Sequence, residues 1–384
     1  MEAFNAMINF DNSATSFPKP EAVKKAVFEA MNRYGGNPGR SGHRISIETA
    51  EAVYSARTAA ADFFGAEPDN VVFTLNCTHA LNTAIKGTAS EGCHIIISSL
   101  EHNSVLRPVY ALSKGTCSYS VAQVSHSDSE TLENFSRLIT PHTRIIACTL
   151  GSNVTGQILP FTGIAELCKK HGICFIADGA QACGVIPVSL ADGINILCAA
   201  GHKSLYGPSG TGLLVTDGKY KIRPLMEGGT GSASMEKDQP DFLPDSLESG
   251  TINTAGAIGL GAGIGFVRKL GMDRIYSHES KLCRIFVNET KNIGRVTVYR
   301  DDRVKSYLPV VSFNIDGLSA NETAAKLSDM GFALRGGLHC SGLAHTSLGT
   351  VPDGTVRFSP SVFNTEKEVH ALVSAVKSIA ESAV

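Results

Sequence analysis

The sequence predicts an α/β fold: a large unit built on a mainly parallel seven-stranded sheet flanked by helices, followed by a smaller α+β unit. Seven short apolar runs between residues 71 and 217 are separated by helix-length segments or turns, the pattern of crossover-connected strands. Beyond about residue 270 the runs are shorter and alternate with helical stretches. The chain has 384 residues, 43% hydrophobic and 18% charged, which is too long for one small core and ordinary for a soluble globular protein. A net charge of -2 gives no basic footprint, so neither nucleic acid nor a membrane surface is an expected partner.

The elements follow in order. MEAFNAMINFDNSATSF has no basic n-region or apolar h-region, so no signal peptide is expected. Residues 1–20 read as an irregular N-terminal segment packing near the smaller domain. PKPEAVKKAVFEAMNRY is a helix with Pro20 at its start and Gly35 and Gly36 beyond its end. After the loop GGNPGRSGHRIS, residues 46–64 form an alanine-rich helix with Ser46 as the expected cap and Gly65 as its stop. The seven strands are VVFTL, HIIISS, SYSVAQV, RIIACTL, CFIAD, INILCAA and TGLLVTD. Residues 226–253 read as a long irregular loop, a type usually functional or packed against a partner. A helical stretch at 255–290 bridges to RVTVYR, LPVVSFNI, FALRGG and TVRFSPS. The expected division is a large domain over 21–269 and a small one over 270–384. GLGAGIG at 259–265 follows no strand, so it reads as close helix packing and not as a dinucleotide loop. The ten cysteines form no CxxC pair, and most sit in apolar runs, as in a reducing cytoplasm.

The chemistry concentrates at strand ends. CFIAD ends in Asp178, and INILCAA runs into Gly-His-Lys at 201–203. In a parallel sheet both ends reach one rim, where ligands bind. An acid facing a lysine there suits pyridoxal 5'-phosphate (PLP), which needs a protonated ring nitrogen and an amine anchor. Lys203 in a desolvated cleft favours the neutral amine that forms a Schiff base. The competing reading is a surface lysine at a strand end. Asp178 reads as the ring-nitrogen partner or as a turn cap, and Gln181 as a partner for the phenolic oxygen. NCTHALN, with Cys77 and Thr78, opens a helix after a strand, so it is a phosphate cradle or a plain N-cap. His202 is a second phosphate donor or a structural histidine. His102 would lie over the ring face or bond to its own loop, and Asn153 would reach the ring oxygen or the substrate. His43, in the glycine-rich loop, and Arg335 are further substrate-contact candidates. Cys340 is the cysteine set in a polar Gly/His-rich segment, where His339 and Arg335 favour thiolate character. A metal site of His339, Cys340 and His345 is the competing idea, but its spacing matches no standard zinc pattern, and none is expected. Arg357 suits bidentate carboxylate binding, with a surface strand arginine as the alternative.

Together ADGAQ (177–181), GHK (201–203), YGPSGTG (206–212), SNVTGQ (152–157), EHNS (101–104), ESGTINT (248–254), RGGLHC (335–340) and VRFSPSVFNTEKEV (356–369) resemble the cysteine desulfurase and selenocysteine lyase family. These are class V aminotransferase-like enzymes of PLP fold type I. The resemblance spans almost the whole chain, beginning at FDNSATSFPKP, and the RGGLHC loop is similar to the group II form. It implies Lys203 as the Schiff-base lysine, Asp178 on the ring nitrogen, Gln181 on the phenolic oxygen and His102 stacked on the ring. It implies Thr78 and His202 on the phosphate, with Thr251 supplied by the other subunit of a homodimer. It also implies Arg357 and Asn153 on the substrate carboxylate and Cys340 as sulfur acceptor. L-cysteine or L-selenocysteine would be the substrate, and an acceptor protein would take the sulfur, with iron–sulfur assembly among the destinations. Three departures stand out: Ala200 replaces a common serine, HKSLYGP has one extra residue after the lysine, and SGLAHTSLGT replaces a short Ala-x-Pro continuation. The rival functions are transamination or kynureninase-type cleavage on the same scaffold, and a non-catalytic sulfur carrier or scaffold.

Overall fold

The computed structural model describes residues 7–39, 41–115 and 117–382, so residues 1–6 of the expected N-terminal segment lie outside it. Strand β1 (Ile8–Asn9) and helices α1 (Glu21–Arg33) and α2 (Arg44–Phe64) come first. Then follow β2 (Val71–Thr74), α3 (Cys77–Thr88), β3 (His94–Ser98), α4 (Asn103–Ser113), β4 (Ser118–Ala122), α5 (Asp128–Arg137) and β5 (Thr143–Thr149). Next are α6 (Phe161–His171), β6 (Cys174–Asp178), β7 (Ile196–Ala200) and β8 (Gly212–Thr216). These strands form a seven-stranded sheet in the order β2-β8-β7-β6-β5-β3-β4. Strand β8 is antiparallel to both neighbours, and the other ladders are parallel.

The period of two along each strand produces two cores, one on each face of the sheet. Ile96, Ile146, Phe175, Ala177 and Leu197 pack on one side. Ile95, Ile97, Ile145, Ile176, Ile196 and Cys198 pack on the other. Burial on both faces explains why these strands read as continuous apolar runs.

Helices α7 (Thr254–Leu270) and α8 (Met272–Thr290) lead to β9 (Val296–Tyr299), β10 (Val311–Ile315), α9 (Ala320–Asp329), β11 (Phe332–Ala333), β12 (Arg335–Gly337), α10 (Gly342–Leu348), β13 (Thr355–Phe358) and α11 (Glu366–Ser382). An antiparallel sheet of order β12-β13-β10-β9 covers a third core that includes Phe286, Phe313 and Phe358. Strand β1 pairs in parallel with β11, so the N-terminal segment joins this part of the molecule.

Several local expectations change. The expected 255–290 helix is two helices broken at Gly271, whose φ of 87° suits glycine. FALRGG divides between β11 and β12, which belong to different sheets. Helix α5 carries the weakest apolar signal and was not singled out from the sequence. The cap of α2 is His43 and not Ser46: the His43 side chain accepts from the Ser46 N–H, while the Ser46 hydroxyl donates to the Asn37 carbonyl. GLGAGIG is a helix seam as expected, where a Cβ on Gly263 would collide with the Leu205 carbonyl. No described helix is long and apolar enough to cross a membrane.

The irregular 226–253 segment is held by a buried ion pair. Arg57 of α2 meets Glu248 through two parallel bonds of 2.8 Å, and Glu248 also accepts from the Phe73 N–H at 2.6 Å. Glu248→Leu leaves the Arg57 charge buried without a counter-ion, with only the Val71 carbonyl still accepting from it, and should cost about 3–5 kcal/mol in urea unfolding. The double variant Arg57→Met/Glu248→Leu should recover most of that loss.

Candidate active site

The C-terminal ends of β6 and β7 open on a cavity of about 230 Å³. Its lining brings together Cys77, Thr78, His102, Asn153, Asp178, Gln181, Ala200, His202, Lys203, Arg335 and Arg357. Cys340 lines an adjoining hollow that shares Thr78, His102 and Ser104 with the cavity, so it faces the same cleft from the rim. Two predicted residues lie elsewhere. His43 is exposed at the start of α2, and Thr251 is exposed with its hydroxyl accepting from Asn37 Nδ2 at 3.3 Å.

Asp178 is 3% exposed, and one carboxylate oxygen, Oδ1, accepts from the Ala180 N–H at 2.9 Å and the Cys77 thiol at 3.5 Å. Burial, reinforced by Asp178, pushes the Cys77 thiol well up, so it stays a neutral donor. Lys203 follows β7 in a turn closed by the Tyr206 N–H on the Lys203 carbonyl at 2.8 Å. Within HKSLYGP, Tyr206 is held at a φ of 56°. Burial, then the nearby Arg357 charge, lowers the Lys203 pKa against the opposing pull of Asp178. Burial and the Lys203 and Lys19 charges bring His202 down to about 4.

His102 caps α4. Its Nδ1 accepts from the Ser104 N–H at 3.0 Å, so the neutral ring carries its proton on Nε2. Gln181 Nε2 donates to the Ser13 carbonyl at 3.1 Å. Asn153 is committed more deeply than expected: Nδ2 donates to the His339 carbonyl at 2.9 Å, and Oδ1 accepts from the Ser341 hydroxyl at 2.6 Å. It therefore clamps the cysteine loop.

Arg357 is 1% exposed and pairs with Asp11 through Nη2 at 2.7 Å, while Nη1 reaches the Asn153 carbonyl at 3.3 Å. Its Nε has no partner among the described residues. Arg335 lies directly opposite Arg357 in the β12–β13 ladder. Like charges at opposed positions destabilise a sheet, so an anion between them is favoured. Arg335 Nη2 also donates to Cys340 Sγ at 3.7 Å. Cys340 is exposed, and His339 and Cys340 have φ values of 48° and 58°, two left-handed residues in succession. The Cys340 carbonyl accepts from the Asn103 N–H at 2.7 Å, which ties the loop to the residue after His102. SGLAHTSLGT folds as α10, with His345 buried and its Nδ1 2.7 Å from the Thr350 hydroxyl. No group of three His, Cys, Asp or Glu residues placed to hold a metal occurs among the described residues.

Sequence reasoning assigned no role to Asp11, Ser16 or Lys19, although FDNSATSFPKP contains all three. Lys19 Nζ donates to the His202 carbonyl at 2.8 Å, and the Ser16 hydroxyl donates to the Lys203 carbonyl at 2.9 Å. Burial lowers Lys19 to about 8.

The donor set fits PLP. An acid and a lysine face one cavity, the unpaired Arg357 Nε points to an anion, and the start of α3 offers backbone N–H groups. A Cβ on Gly212 would press into the Asn76 backbone, so the close approach of that helix start to the sheet requires glycine.

The family model for aminotransferase class-V matches residues 8–372. A probable cysteine desulfurase of Mycolicibacterium paratuberculosis is 31% identical over 98% of this chain, which spans only 56% of that relative's length. A probable cysteine desulfurase of Methanothermobacter thermautotrophicus is 29% identical, covering 96% of this chain and 94% of its own. The apo structure of a cysteine desulfurase from Thermococcus onnurineus superposes with a TM-score of 0.90 at 30% identity, covering 98% of this chain and 95% of that one. An Escherichia coli cysteine desulfurase with an S-sulfonic acid gives 0.87 at 26% identity, with coverages of 99% and 96%.

Glu101, beside His102, is fully buried and accepts from the Ser98 hydroxyl and the Thr149 N–H. Burial outweighs those bonds and, with Asp178 adding to the rise, lifts its pKa from 4.5 to about 8. The folded state thus holds a proton that the unfolded chain releases, and stability falls as pH rises from about 4.5 through about 8. Urea unfolding at pH 5 and pH 8.5 should show that loss in the native protein and a flatter profile in Glu101→Gln.

Proposed function

The chain belongs to the class-V aminotransferase family, and on that premise we propose that it is a PLP-dependent cysteine desulfurase that converts L-cysteine to L-alanine and holds the sulfur as a persulfide on Cys340. The observation that carries this reading is the exposed Cys340, fixed in a left-handed turn with Arg335 on its sulfur, at the rim of a cavity walled by Asp178 and Lys203. When bound, PLP supplies an electron sink for the pair left on the substrate α-carbon as its proton departs.

The chain's own groups have distinct tasks. Lys203 would anchor the cofactor and, once displaced by substrate, take the α-proton; its lowered pKa favours the neutral amine needed for that. Asp178 would keep the ring nitrogen protonated, Gln181 would meet the phenolic oxygen and His102 would cover the ring. Cys77, Thr78 and His202 would line the phosphate end, with Thr251 of a second subunit completing it. The exposure of Thr251, outside its own chain's cavity, supports that homodimer. Arg357 and Arg335 would take the substrate carboxylate, with Asn153 holding the loop beside them and His43 a further contact from the neighbouring subunit. The Cys340 thiolate then attacks the substrate sulfur. An S–S bond forms as the C–S bond breaks, and the electron pair stays with the carbon skeleton, which is protonated to alanine.

L-selenocysteine would meet the same contacts, and an acceptor protein would collect the sulfur at the exposed loop. A large domain over 21–269 and a small one over 270–384 would form the two walls. An exposed thiol suits a reducing, cytoplasmic setting. Transamination would leave Cys340 without a task.

Lys203→Ala should lose the visible absorbance of bound cofactor and at least about 10²–10⁴-fold in activity. Cys340→Ala should keep that absorbance and release no sulfide from L-cysteine; unchanged sulfide release would remove Cys340 from the reaction.

A further inference from the structure

Two residues that line the cavity each carry a buried side-chain nitrogen with no partner among the described residues: Arg357 at Nε and His339 at Nδ1. The first is a donor for an anion. The second requires a different ligand. His339 is 2% exposed, and its Nε2 lies 2.9 Å from the Thr355 carbonyl. A carbonyl only accepts, so Nε2 carries the proton. Burial and the neighbouring Arg357 charge bring the ring's pKa down to about 2, so it is neutral and Nδ1 presents a bare lone pair. The ring cannot easily turn away, because Asn153 holds the His339 carbonyl and Thr355 holds Nε2.

The surrounding groups are donors: Arg357, Arg335 and Lys203 all line the same cavity. An amino-acid carboxylate goes to the arginines and cannot donate to Nδ1. The α-amino group is consumed in bonding to the cofactor. The donor that cysteine retains is its S–H, which is largely protonated near neutral pH. His339 immediately precedes the residue that must meet that sulfur. Resting on the desulfurase reading, we propose that His339 is a specificity-determining residue whose Nδ1 accepts a hydrogen bond from the substrate thiol and turns its sulfur toward Cys340.

The test uses the PLP-loaded enzyme carrying Cys340→Ala, so that L-cysteine binds without sulfur transfer. Binding of L-cysteine and of L-2-aminobutyrate, which has a methyl group in place of the thiol, is followed through the cofactor's absorbance. With His339 present, L-cysteine should bind about three- to tenfold more tightly, the range of one neutral hydrogen bond. His339→Asn, chosen because asparagine tolerates the positive φ, should abolish that preference while leaving 2-aminobutyrate binding within about twofold. Equal weakening of both ligands, an undiminished preference for cysteine, or no preference with His339 present would each overturn the proposal. If His339→Asn fails to hold the cofactor, His339→Gln and the preference measured with His339 intact still decide. Sulfide release by the enzyme with Cys340 intact is assayed separately: its absence would refute the desulfurase reading, whatever the binding comparison gives.

Discussion

A single guanidinium joins the walls of this site. Arg357 sits in the small sheet with 1% of its surface exposed, and a charge buried so deeply is tolerable only with a carboxylate in contact. Asp11, 346 positions earlier in the chain, supplies it, and the Asn153 carbonyl in the loop after β5 accepts a second bond. The large sheet, the small sheet and the N-terminal segment thereby share one electrostatic anchor. The same segment reaches the opposite wall through Ser16 and Lys19, which hold the backbone of His202 and Lys203. Residues 11–19 therefore fix the cysteine side and the lysine side of the cleft relative to each other.

The cleft combines opposed demands on charge. Arg335 and Arg357 face each other across a ladder and line one cavity with Lys203, so three cationic side chains are gathered at one place. Burial is the main cause that lowers the Lys203 pKa, and the Arg357 charge acts in the same direction while Asp178 opposes it.

Much of this was legible in the sequence wherever the signal is local. Apolar runs ending in Asp178 and before Lys203 give their strands and rim directly, because a parallel sheet puts those ends together. Cys340 stands out because its flanks are polar. The Asp11–Arg357 pair and the Lys19 contact could not be read, since partners hundreds of positions apart leave no spacing pattern. Asn153 showed its location but not its commitment, because which atoms an amide satisfies depends on a loop from the other sheet. The cap of α2 went to His43 since its imidazole can accept as a serine would, and periodicity carries no trace of that exchange.

The two-faced sheet has a practical corollary for its thiols. Cys148, Cys174 and Cys198 point into the cores, and burial raises all three pKa values, so they are shielded from both reagents and solvent. Cys340 is the exposed one, with Cys117 only half-exposed. A maleimide dye applied to the folded protein thus has one dominant address. Because that address sits where the two sheets meet, a fluorophore there would report on the mouth of the cleft without any engineered cysteine.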